Sequence, residues 1–186
     1  SNLFLVFALF ISSSIYAQKD SIRINVNLDN FADHFYTIKI TIPDTKSEDI
    51  LDIKIPEWTP GYYQILKFSD NVQNIKISND KNENLGYVKI DNNTWRIATT
   101  HSKTITLDYQ VIAKEEFIAK AYIGEKKAFL RPTAIFIFPE KFFDRPISLT
   151  IDKNKWNKIA TGLDKKGKNY IAKDFNQLYD SPILVG

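Results

Sequence analysis

Apolar residues recur at every second position along most of this chain, and that alternation restricts it to strands. Ser21 to Leu28 places Ile22, Ile24, Val26 and Leu28 on one face. Phe35 to Ile42 does the same with Tyr36, Ile38, Ile40 and Ile42 against Thr37, Lys39 and Thr41. Thr104 to Val111 is the cleanest case, with Ile105, Leu107, Tyr109 and Val111 on one side. Successive side chains of a strand point to opposite faces, so a period of two marks strands with one buried face. Further strands are read at Ile50 to Ile55, Gln73 to Ser78, and Ile147 to Ile151. Tyr87 to Ile90 and Thr94 to Ala98 flank Asp91, Asn92 and Asn93 as a hairpin, and Lys158 to Thr161 and Asn169 to Ala172 are read as a last one. Ile65 to Val72 has the spacing of a short helical turn, and Ala113 to Leu130 is mixed. There is no heptad, internal repeat or low-complexity linker. The expectation is an all-β antiparallel sandwich or strongly curved open sheet, with at most one or two short helices.

The start reads differently. Leu3 to Ile11 is LFLVFALFI, followed by Ser12 to Ser14 and then Ala17. Such a run is far short of the roughly 20 residues of a membrane-spanning helix. A hydrophobic stretch, a small polar segment and an Ala have the form of a secretory signal. Residues 1–17 are therefore read as a signal-peptide remnant and residues 18–186 as the β-rich domain, with a secreted or periplasmic location. No transmembrane segment is expected.

The net charge is +3, too small to point to nucleic acid, and there is no cysteine for disulfides or thiolate metal sites. The histidines are His34 and His101 alone. Zinc needs at least a third ligand, and no His-Glu-x-x-His is present. Neither a Gly-x-Ser-x-Gly turn nor a Gly-rich phosphate loop occurs. Glu115 and Glu116 read as solvated carboxylates. Lys165, Lys166 and Lys168 read as the tip of a hairpin. The sequence carries no catalytic, cofactor-binding or metal-binding residue.

What it does carry is an aromatic turn: Pro56, Glu57, Trp58, Thr59, Pro60, Gly61, Tyr62, Tyr63. Each proline fixes φ, and Gly61 reaches conformations closed to its neighbours. Trp58, Tyr62 and Tyr63 then hang from a stiff loop, either packed internally or presented to a partner. Trp58, Pro60, Gly61, Tyr62 and Tyr63 are the candidate interdomain or substrate-cleft surface. Phe68 is expected to pack beneath the loop.

This segment, Ile55 to Tyr63 followed by Phe68 and Asn71-Val72, resembles the N-terminal domain of the M61 peptidase family, the glycyl aminopeptidases. His34 with its following strand, Asn93-Thr94-Trp95-Arg96, Leu107 to Val111, and Asp180-Ser181-Pro182-Ile183 extend the resemblance over most of the chain from Asp20. Tyr62 stands where members usually carry Ser. The resemblance implies a non-catalytic β domain that packs against a thermolysin-like zinc catalytic domain of the same chain. It implies that the zinc and its His-Glu-x-x-His belong to that other domain, which a PDZ domain often follows. The partners it implies are that catalytic domain and its peptide substrate. The alternative from the residues alone is a stand-alone secreted adhesion module that binds carbohydrate or peptide through exposed rings.

Overall fold

The computed structural model describes residues 21–186; the signal segment read at residues 1–17 lies outside them. Alternation becomes strand wherever it is sustained. Ile22–Asn27 (β1), Phe35–Pro43 (β2), Ile50–Lys54 (β3), Val72–Asn79 (β4), Tyr87–Asp91 (β5), Thr94–Ala98 (β6) and Thr104–Ile112 (β7) follow the expected segments. Tyr122–Ile123 (β8), Ala128–Leu130 (β9), Phe138–Pro139 (β10), Ile147–Asp152 (β11), Ile159–Thr161 (β12), Asp164–Lys166 (β13), Asn169–Ala172 (β14) and Ile183–Val185 (β15) complete the set. Among the described residues the two α-helices are about one turn each, Pro132–Ile135 (α1) and Phe175–Tyr179 (α2). A 3-10 turn covers Phe68–Asn71, inside the stretch whose spacing suggested one.

Three sheets share one core. The largest runs β13-β14-β11-β1-β2-β7-β4; the others run β10-β3-β6-β5 and β12-β15-β9-β8. Their inward residues, among them Ile38, Leu107, Ile53, Ile97, Leu130 and Ile183, belong to a single buried cluster. The turn after Asn79 does not divide that core, because β7, which follows it, lies between β2 and β4, which precede it. Among the described residues the strand pairings are antiparallel except that β1 runs parallel to β11, with Ile22 opposite Ile147.

The last hairpin is drawn differently from the sequence expectation. Ile159–Thr161 pairs with β15, and Asn169–Ala172 pairs instead with Asp164–Lys166. The reason is local. A tight turn at Gly167, with φ +62°, joins β13 directly to β14, and the apolar strand Ile183–Val185 takes the partner left over.

Residues 132–137 cross the interior largely outside any sheet, and their backbone polar groups need partners there. Pro132 opens α1 at a position where its missing N–H costs nothing. The turn itself pairs Ala134 N–H with Arg131 C=O and Phe136 N–H with Pro132 C=O, both at 2.9 Å, and tyrosines supply further partners. The Tyr109 hydroxyl donates to Ile135 C=O at 2.8 Å and accepts from Ile137 N–H at 3.1 Å. The Tyr179 hydroxyl donates to Phe136 C=O at 3.0 Å. Burial pushes both phenols above their ordinary pKa, so both remain protonated donors. On the far side, Tyr36 donates to Tyr122 C=O at 2.6 Å.

Tyr109→Phe removes one hydroxyl and leaves a buried carbonyl and a buried N–H without partners. Urea unfolding should show a loss of about 1–3 kcal/mol with an unchanged slope. A loss within about 0.5 kcal/mol, the range of a neutral surface change, would show that the hydroxyl holds nothing.

Candidate functional site

The aromatic turn follows β3 and is built from its own sequence. Thr59-Pro60-Gly61-Tyr62 closes with a bond from Tyr62 N–H to Thr59 C=O at 3.1 Å. Proline at the second position and Gly61 at the third with φ +82° give the type II pattern. A wider closure runs from Leu66 N–H to Glu57 C=O at 2.6 Å.

The turn is fastened from below by residues some 70 positions away. Thr59 is buried, and its hydroxyl bonds the hydroxyl of Thr133 on α1. Arg131, just before α1, donates from Nε to Thr59 Oγ1 at 3.0 Å and from Nη2 to Pro60 C=O at 3.1 Å. Burial lowers the pKa of this guanidinium, and the nearby Asp180 carboxylate opposes that shift. Nothing in the local sequence of Arg131 and Thr133 announces this role. A Thr, an Arg and a Pro carbonyl become one cluster only once the chain has folded.

The rings divide. Trp58 is 58% exposed and Tyr63 is 98% exposed, so both project to solvent. Tyr62 is half-buried: its hydroxyl donates to Gln64 Oε1 at 2.9 Å, and its ring meets Phe117 edge-on at 5.3 Å. Ile65, at 76%, and Ile118 add exposed apolar surface. Phe117 and Ile118 belong to the stretch that the sequence left mixed. Phe68 is buried, as expected. The other two tryptophans are core residues, Trp95 at 4% and Trp156 at 6%.

The remaining polar candidates are ordinary. His34 Nδ1 lies 2.5 Å from Ile123 C=O, and His101 faces Asp49 at 3.4 Å, so the two histidines serve different loops. Glu115 pairs with Lys120 and Glu116 with Lys127. Among the described residues, no group of three or more His, Cys, Asp or Glu could hold a metal ion, and zinc does not fit here. No helix among them is long and apolar enough to cross a membrane.

The described residues thus form a β-rich domain whose fastened turn presents Trp58 and Tyr63 to solvent. Residues 23–186 match the peptidase M61 N-terminal domain family, and the chain belongs to it. An aminopeptidase N family protein from Idiomarina loihiensis superimposes with a TM-score of 0.83 at 25% identity, over 89% of this chain. The match spans only 29% of that longer protein. An M1 zinc metallopeptidase from Deinococcus radiodurans aligns over 89% of this chain and 41% of its own, at 7% identity and a TM-score of 0.43, a likeness too slight to build on. No curated protein matches the chain.

Two glycines separate backbone need from space. A Cβ at Gly61 or at Gly86 would meet no atom within 4 Å, but only Gly61 has a left-handed φ. Gly61→Ala should cost about 1–2 kcal/mol in thermal or urea unfolding. Gly86→Ala should be neutral or stabilising by up to about 1 kcal/mol. Equal effects would mean that the turn does not depend on its geometry.

Proposed function

We propose that this domain packs against the zinc metallopeptidase domain of a longer chain. Trp58, Tyr62 and Tyr63, shaped by Pro60 and Gly61, contact that domain or wall its peptide cleft. The observation that carries the reading is the pairing of two exposed rings with a turn fastened by Arg131 and Thr133. Large apolar rings left in water on a rigid support are the usual anchors of an interface. Family membership and the 29% span of the longer aminopeptidase family protein support a partner within the same polypeptide. They also favour this reading over a stand-alone adhesion module. Zinc, and the general base that activates water on it, belong to the partner domain. A secreted or periplasmic site of action follows from the signal-like residues 1–17.

Two outcomes check this. The chain by itself should not turn over aminoacyl anilides, with or without added zinc, because amide hydrolysis of this kind needs metal ligands and a base. Turnover that follows the chain through purification would overturn the assignment. Mixed with the separately produced catalytic domain, the chain should form a complex measurable by calorimetry. Replacing Trp58 and Tyr63 together by Ala should weaken it by about 2 kcal/mol or more, roughly 30-fold in Kd. A double variant that binds as tightly as the parent would remove the turn from the interface.

A further inference from the structure

A cleft of about 560 Å³ opens beside the aromatic turn, within the range of side-chain and small-ligand sites. Trp58, Pro56 and Pro60 line it on the turn side, and Phe138, Phe143 and Tyr179 on the other. The second wall is a packed cluster: Phe138 meets Phe143 edge-on at 5.1 Å and Tyr179 edge-on at 6.0 Å. Such a wall is fixed in place by its own contacts.

The ionisable residues lining this cleft, Tyr179 aside, are the two acids Glu57 and Asp180, with no lysine, arginine or histidine among them. Asp180 shares its field with Arg131. Glu57 shares with nothing. Elsewhere among the described residues each glutamate has a partner. Glu48 pairs with Lys141, Glu115 with Lys120, Glu116 with Lys127, Glu125 with Lys155 and Glu140 with Lys54, while Glu83 accepts from Asn79. In a lysine-rich chain of net charge +3, the glutamate left open among those described is the one set among aromatic rings.

We infer that this cleft binds an arginine side chain presented by a partner polypeptide. The guanidinium is planar and weakly hydrated. It can lie on the face of Trp58 and pair with the Glu57 carboxylate, while its methylene stem covers Phe138 and Phe143. A lysine ammonium is a compact, strongly hydrated point charge, and it exploits the flat walls less well. Anionic ligands are repelled. Trp58 and Pro60 also belong to the domain interface proposed above, and a short peptide offered to this chain alone reads the cleft without that domain.

The probe is N-acetyl-Ala-Arg-Ala-amide titrated into the purified chain. Binding is followed by tryptophan fluorescence, in which exposed Trp58 responds while Trp95 and Trp156 stay shielded, and by calorimetry. Saturable binding is expected. The citrulline peptide, which keeps the shape and loses the charge, should bind at least tenfold more weakly, with the lysine peptide between the two. Glu57→Gln should weaken the arginine peptide at least tenfold without moving the thermal midpoint. Equal affinity for citrulline, indifference to Glu57→Gln, or a linear unsaturable signal would each overturn the inference. So would Ala-Ala-Ala-amide with a free amino terminus binding as tightly as the arginine peptide, since the site would then read an amine.

Discussion

The hydroxyls of Tyr109 and Tyr179 hold the interior together where the sheets do not. Residues 132–137 lie in the core with little ladder pairing of their own, and an unpaired backbone group there costs about as much as the stability margin can spare. Bonds to Ile135, Phe136 and Ile137 remove that cost. The same segment carries Thr133, and Arg131 stands immediately before it. Those two residues hold Thr59 and Pro60. A line of dependence therefore runs from two buried phenols, through an irregular strip of backbone, to the presentation of Trp58 and Tyr63 at the surface. Movement of the strip would displace the turn without breaking any bond within it.

This arrangement suits the docking proposed for the turn. Exposed aromatic rings on a loose loop would lose rotational freedom on binding and return little net affinity. Here the type II turn, the prolines and the guanidinium clamp have already fixed the backbone. The ordering cost falls on folding rather than on association. Tyr62 marks the border, with one edge against Phe117 and its hydroxyl on Gln64.

Legibility of this fold follows the reach of each interaction. Strands with alternating burial were readable because the signal lies within five to nine consecutive residues, as in β2 and β7. The β13 strand was not, because Asp164, Lys165 and Lys166 are all exposed and carry no alternation. Without it, Asn169–Ala172 was given the wrong neighbour. The helix Phe175–Tyr179 is too short to show a period, although Asp174 caps it by accepting from Gln177 N–H at 2.8 Å. The parallel pairing of β1 with β11 joins segments more than a hundred residues apart, beyond any local pattern. The turn itself was legible from Pro-x-Trp-Thr-Pro-Gly, since proline and glycine act on their own backbone. Its support was not, because Arg131 and Thr133 gain their meaning only from distant partners.

The two margins of the seven-stranded sheet are each poorly suited to receive a further strand. One margin is β13, with lysines at 165 and 166 and an aspartate at 164. The other is β4, where the register slips between Gln73 and Lys76 and Asn74 takes a left-handed φ of +54°. A stray strand seeking free N–H and C=O groups meets a row of charge on one side and a kinked ladder on the other. Neither margin of this sheet therefore offers a flat, uncharged ladder to a further strand.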